Sequence, residues 1–587
     1  MKQFLKYTMA TVVGLVLVGI IFTVLGIATL FSMAAFQEKD PTLTEGTVLH
    51  IKLSGNLVDR AQASPFATLL GSDQIQTQGL ATLRKALDVA AENDKVKGVY
   101  LEAGILQSDV ATLQELRGLL NDFKKKSKKF VVAYGDTYGQ AAYYVASAAD
   151  QVYVNPAGMI DWHGMAAMPV FYTDLLKKVG VKVQTFRVGT YKSYVEPFTR
   201  TDMSEANREQ ISSYINSIWT NIKNETSRSR RLTPAKLDTI ANHYAIFNDQ
   251  QQYVQQRMVD SLYYIDNMRA KLRSLAKTDK VKLISPEELA RLYKPESADD
   301  RIAVYYAAGS IIDESVSSWT NEEQIVGKDV VSDFDKLAHD KNIKAVVVRI
   351  NSGGGSAYAS EQMWHAMQLL KKAKPVVVSM SGAAASGGYY MSCGANRIIA
   401  MPTTITGSIG IFGMIPDASE LLTQKLGLHV DVVKTNDAAD FGNIYRPFNA
   451  AESAALQGYV NRGYALFLKR VAQGRGMTTQ QVDKIAQGRV WTGEQALKLK
   501  LVDRLGNLDD AIAEAAKLAK LKKYGVDEYP EPANWMSDFT KQIKENYMER
   551  ELKNTLGLYY EPIRTLQQLQ NSSRVQARLP YLTQYNF

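Results

Sequence analysis

The chain runs through one pattern twice, at a period of about 245–250 residues. Gln140-Ala-Ala-Tyr-Tyr144 to Asn155-Pro156 lines up with Ser386-Gly-Gly-Tyr-Tyr390 to Met401-Pro402. Further on, Leu237 and Ile240-Ala241 match Val482 and Ile485-Ala486, and Val259-Asp260 matches Val502-Asp503. A period this long is too great for a solenoid and marks duplication of a whole domain. Each copy opens on an apolar strand, at 47–53 or 301–306. Each then alternates short apolar runs with helical stretches, which predicts a parallel sheet covered by helices. The polar, proline-containing joint at 285–300 separates the copies. At 587 residues the chain exceeds what one core can serve, and length alone predicts roughly three to four domains.

The copies differ at their turns. In the second, the apolar run 375–380 reads as a buried strand, followed by Ser381-Gly-Ala-Ala-Ala-Ser386-Gly-Gly-Tyr-Tyr390. Small residues make a tight turn and a helix begins near Ser386. A serine at a helix N-terminus sits where backbone N–H groups favour negative charge, which suits a nucleophile whose attack creates an oxyanion. A small-residue helix packed closely on its sheet accounts equally well for this stretch alone. One strand earlier, 344–350 leads into Asn351-Ser-Gly-Gly-Gly-Ser356 and a helix over 357–372. Glycines there let backbone amides approach a ligand, and neighbouring turns share the crevice at the carboxyl ends of a parallel sheet. No Gly-Lys-Ser/Thr follows, so this is not a phosphate loop. The first copy has Gln140 in the place of Ser386, and Leu101-Glu-Ala-Gly104 instead of the glycine turn. It has Lys192, in Arg187-Val-Gly-Thr-Tyr-Lys192-Ser-Tyr-Val-Glu-Pro-Phe198, where the second copy has Gly442 or its neighbours. Taken singly, Lys192 reads as an ion-pair partner of Glu196.

The blocks at 351–356, 384–389 and Thr406-Gly-Ser408-Ile-Gly410 resemble the signature of the signal peptide peptidase A (protease IV) family, in its duplicated long form. Gly488-Arg-Val-Trp-Thr-Gly493, Ala496 and Leu501-Val-Asp503 resemble the closing block of the same superfamily of Clp/crotonase-fold serine peptidases. The match covers most of 300–510 in order; it departs at Gly353, where the family usually has proline. The resemblance implies an α/β fold of two tandem Clp/crotonase-like ββα-repeat domains with parallel sheets. It implies Ser386 as nucleophile, Lys192 as general base, Ser408 as the residue orienting that lysine, and an oxyanion hole from the Gly354 and Gly387 amides. A lysine base must be neutral, so its ordinary pKa of roughly 10.4 has to be lowered by burial or cationic neighbours. Tyr191, Tyr194, Val195 and Phe198 are candidates for an apolar shell. The activity implied is a serine endopeptidase with a Ser–Lys dyad acting on hydrophobic peptides such as cleaved signal peptides, assembled as a homo-oligomer, a tetramer in the duplicated form. A crotonase-like acyl-CoA enzyme and a catalytically silent membrane scaffold are the alternatives.

The remaining features bound this reading. Tyr7 to Gln37 holds no charged residue, with Lys2 and Lys6 before it and Glu38, Lys39 and Asp40 after it. Residues 7–36 therefore predict one transmembrane helix, N-terminus cytoplasmic, with the body on the periplasmic side of a bacterial inner membrane. A cleavable signal, ending near Ser32-Met-Ala34, is the rival, though its apolar core would be shorter. The net charge is +9, but the basic residues are dispersed apart from short groups at 124–129 and 228–231. Those read as solvated faces, and no nucleic-acid partner is expected. The single cysteine, Cys393, forms no intrachain disulfide and reads as a core thiol. None of the six histidines, His50, His163, His243, His339, His365 and His429, has metal or triad spacing, so neither metal nor cofactor is expected. The domains expected are an anchor at 1–45, a first half at 46–297, a second half at 298–530 and a helical C-terminal arm at 531–587.

Overall fold

The computed structural model describes residues 40–61, 77–314, 323–531, 575–579 and 585–586, with scattered positions between 6 and 26. Both halves are α/β, as the repeat predicts. The first centres on a wholly parallel sheet in which Thr47–Val58, Val96–Gln107, Phe130–Tyr138 and Gln151–Ile160 lie side by side. The second repeats this with Arg301–Ala308, Ile343–Ser352 and Val376–Ala385. These central strands are near-continuous apolar runs because both faces are covered; Val346, Val347, Val348, Val376, Val377 and Val378 are all fully buried. The helix Ala357–Ala373 starts where Ser356 Oγ accepts the Ala359 amide at 3.2 Å.

A third sheet ties the halves together. Its order is Gln324–Val326, Ser310–Ile312, Gly354–Ser356, Val575–Arg578, Phe412–Asp417 and Lys182–Arg187. The last of these comes from the first half of the chain and pairs antiparallel with a strand of the second half. Beneath lies a buried ionic cluster: Arg349, from the second half's central strand, holds Asp59 and Glu115 of the first half at 2.7 Å each and also bonds Ser379 and Ser381. Buried charges are tolerated when paired and hydrogen-bonded, and this cluster joins residues of both halves.

Two expectations meet limits here. No helix among the described residues is long and apolar enough to cross a membrane, and most of 7–36 lies outside those residues. The C-terminal segment, expected as a helical arm, contributes strands where it is described, Val575–Arg578 and Tyr585–Asn586. The amphipathic stretch at 535–556 falls outside the described residues. The physical reason for the strand is an open sheet edge: Gly354–Ser356 and Phe412–Asp417 flank a gap that an extended chain fills with hydrogen bonds on both sides.

Candidate active site

The strand Val376–Ala385 ends in the turn that carries Ser386, and the short helix Gly387–Ser392 begins directly after it. Ser386 adopts φ 53° and ψ −110°, a backbone conformation that costs a non-glycine residue on the order of 1–3 kcal/mol. The turn is held by Ser386 N–H donating to Gly407 O at 2.8 Å and Tyr390 N–H donating to Ser386 O at 2.7 Å. Its hydroxyl does not cap the helix. It lies 2.8 Å from Lys192 Nζ, a residue 194 positions away in the sequence.

Lys192 follows the strand Lys182–Arg187, whose pairing with Phe412–Asp417 carries the loop across from the first half. Nζ also lies 3.0 Å from Ser408 Oγ and 3.1 Å from Ser408 O. Lys192, Ser386 and Ser408 are all fully buried. Burial pushes the Lys192 amine well below the ordinary lysine value, and no neighbouring charge opposes the shift. The Glu196 pairing does not occur: that carboxylate takes the Ser204 backbone and hydroxyl and the Asn207 amide instead. Val195 and Phe198 join Phe412 in a small apolar core, and the Phe412 ring centroid is 5.9 Å from Nζ. Tyr191, expected in that shell, turns outward to Glu209 and stacks with Arg489.

Several residues of the site escaped sequence reasoning. A Cβ on Gly488 would lie 2.6 Å from Lys192 N, and one on Gly410 would lie 3.2 Å from Lys192 Cδ; both glycines clear the lysine's path. Gln210 donates to the Tyr191 carbonyl at 3.0 Å and to Ser193 Oγ at 2.9 Å, and accepts from Val490 N–H at 3.2 Å. It thereby fastens the lysine loop to the second half. Both glycines stand in blocks noted in the sequence; Gln210 has no local signal, because its role depends on contacts 280 residues apart.

Gly354 and Gly387 adjoin Ser386 and each other. Gly354 has φ +96°, and a Cβ there would lie 2.7 Å from Gly387 N and 2.1 Å from Ala577 O. The Gly354 amide donates to Ser352 Oγ at 3.1 Å, so an anion drawing on it competes with that hydroxyl. The strand Val575–Arg578 covers this corner, with Gly355 opposite Ala577.

In the first half, Gln140 begins the equivalent helix but holds a loop rather than a cleft. Its amide donates to Gly164 O, and its carbonyl accepts from the His163 and Gly164 amides, each at 2.8 Å. Gln140→Ala is expected to leave kcat unchanged while costing about 1–3 kcal/mol of stability through the unpaired backbone groups. Parallel measurement of peptide hydrolysis and denaturant unfolding checks this; loss of activity at full stability would contradict it.

A buried hydroxyl facing an amine whose pKa burial lowers is equipment suited to nucleophilic catalysis. Known proteins place the chain accordingly. Peptidase family S49 matches residues 123–279 and 368–522, and Clp protease matches 307–406. Protease 4 of Salmonella typhi is 36% identical over 500 residues, covering 82% of this chain and 80% of that protein. The chain belongs to peptidase family S49. Protease 4 of Haemophilus influenzae is 34% identical over 530 residues, covering 85% of this chain and 83% of its own. The chloroplastic serine protease SPPA of Arabidopsis thaliana is 29% identical, with 87% and 76% covered. The two S49 matches fall one in each half, as the repeat requires. As a member of S49 the protein is a serine peptidase, and the acyl-CoA and scaffold alternatives fall away.

Proposed function

We propose that the protein is a membrane-anchored endopeptidase in which Ser386 and Lys192 of one chain form the catalytic dyad. The observation that carries this is the fully buried Lys192 Nζ, 2.8 Å from Ser386 Oγ and bonded to no carboxylate. The neutral amine takes the Ser386 proton as the hydroxyl attacks a peptide carbonyl, then gives it to the leaving amine. Ser408 fixes the amine's position. The Gly354 and Gly387 amides stabilise the tetrahedral oxyanion, Gly354 by exchanging its bond to Ser352. The substrates are extended hydrophobic peptides such as cleaved signal peptides. In support, the sheet beside the site already takes up one extended segment, Val575–Arg578, paired on both edges. The charge-free run at 7–36 anchors the body beside peptides released into the bilayer, on the periplasmic face.

A fluorophosphonate probe tests the dyad. Labelling is expected at Ser386 in the native protein and is expected to vanish in Lys192→Ala; labelling elsewhere, or at Ser386 regardless of Lys192, would refute it.

The pH dependence follows from the lowered amine. A base with a depressed pKa is active once deprotonated, so the rate rises with pH through that pKa and holds above it. The apparent midpoint of kcat/KM is expected well below the 10.5 of an ordinary lysine. Activity that peaks in acid and falls above neutrality would indicate a carboxylate base. Ser408→Ala removes one hydrogen bond to the amine, worth roughly 1.5–3 kcal/mol when charged. It should lower kcat about tenfold to a hundredfold and shift the midpoint, leaving the chemistry in place.

A further inference from the structure

One buried carboxylate beside the site takes no part in the chemistry described so far. Glu196 is 1% exposed and stands four residues beyond Lys192. Between them runs the single 3-10 turn Ser193–Val195, which leads directly into the short helix Glu196–Thr199. A lysine and a glutamate four apart on a helical turn ordinarily pair. Here the partners of the carboxylate among the described residues are uncharged. Ser204 N–H donates to Oε2 at 3.1 Å, the Ser204 hydroxyl donates to Oε1, and Asn207 Nδ2 donates to Oε2 at 3.0 Å. A buried carboxylate without a cation is costly unless other donors satisfy it. Ser204 is the N-cap of the long helix Glu205–Arg230, so these donors lie at the end of a helix that favours negative charge.

Asn207 ties this arrangement back to the lysine. Its Oδ1 accepts from Ser193 Oγ at 2.8 Å and from Gln210 Nε2 at 3.1 Å. One buried side chain thus holds both the residue next to Lys192 and the carboxylate at the far end of the turn. The other charges around the loop are engaged elsewhere. Arg187 donates to the Lys192 carbonyl at 3.2 Å, Arg489 pairs with Glu209, and Arg578 donates to the Tyr194 hydroxyl at 3.4 Å. Glu205 and Arg208 stand exposed on their helix, and Asp417 lies opposite Lys182 at the far end of the facing strand.

We propose that Glu196 is a positioning residue for Lys192: Ser204 and Asn207 commit its carboxylate to the helix end, which clamps the lysine turn and keeps the carboxylate from pairing with the amine. This rests on Lys192 being the base of the dyad. A carboxylate in contact with the amine would favour the ammonium form, which accepts no proton. The same glutamate that the sequence offers as an ion-pair partner therefore serves the base by being held away from it.

Rate–pH profiles of the full-length protein test this. With Ser204→Ala and Asn207→Leu together, the freed carboxylate holds the proton on the amine. The midpoint of kcat/KM is expected to move up by about one pH unit, a loss of roughly tenfold at pH values below it. Adding Glu196→Gln to that pair removes the carboxylate and is expected to return the midpoint to its native position. Glu196→Gln by itself offers one acceptor oxygen to donors that now share two. It is expected to lower kcat about tenfold at unchanged KM and unchanged midpoint, because the amine is misplaced and not recharged. If the double variant does not fold, Ser204→Ala alone, at a half-buried position that keeps its backbone donor, is expected to give a smaller shift in the same direction. A native midpoint in the Ser204 and Asn207 variants, a midpoint that stays raised after Glu196→Gln is added, or a native kcat in Glu196→Gln would each overturn the role of Glu196. The dyad survives those results as long as fluorophosphonate labelling of Ser386 depends on Lys192; labelling independent of Lys192 removes the dyad and this role with it.

Discussion

Ser386→Ala is expected to abolish peptide hydrolysis, lowering kcat by on the order of 10⁵-fold or more, while the protein remains folded. The size of the loss follows from the geometry. Among the described residues Lys192 Nζ meets two hydroxyls: Ser386 Oγ at the glycine turn, and Ser408 Oγ on a separate strand end, where the Ser408 N–H is bonded to Arg489 O. Without Oγ the amine can at best activate water, which the closed, fully buried site admits poorly. Folding should survive, because the strained turn is held by backbone bonds to Gly407 and Tyr390 that do not involve the side chain. Steady-state kinetics on purified variant and an unfolding curve suffice; near-native turnover would remove Ser386 from the mechanism.

Lys192→Ala should be as damaging as Ser386→Ala, and the double variant scarcely worse than either, since residues acting as one unit are not additive. Lys192→Arg should be inactive too, because a guanidinium does not release its proton near neutrality. Lys192→Met separates catalysis from stability. The amine is neutral in the folded chain and charged in the unfolded one between its lowered pKa and that of a free lysine. In that window unfolding takes up a proton, so native stability rises with pH. The methionine variant lacks this slope; its stability relative to the native protein should be highest at the low end of that window and decline as the pH rises through it. An active arginine variant, or a native protein without that slope, would show that Lys192 acts as a fixed charge.

Much of this could be read from the chain alone, wherever the information is local. The valine runs at 344–350 and 375–380 declare buried parallel strands, since a strand covered on both faces cannot alternate. The helix expected over 357–372 runs from Ala357 to Ala373. The duplication shows that the halves share one fold, and Gln140 in the place of Ser386 gives the two equivalent turns different side chains. Lys192 was legible only through its block; from its neighbours it belonged with Glu196.

What the sequence could not decide depends on contacts between distant segments. Lys192 meets Ser386 and Ser408 across 194 and 216 residues, and it does so because one strand leaves the first half to join the second. The same crossing buries the amine and lowers its pKa. Glu196 is drawn away by Ser204 and Asn207. The C-terminal segment becomes a strand because a sheet edge lies open beside the site. Helix and strand periods are properties of a few successive residues. Burial, and with it the lowered pKa of an amine such as that of Lys192, is a property of everything that packs around them.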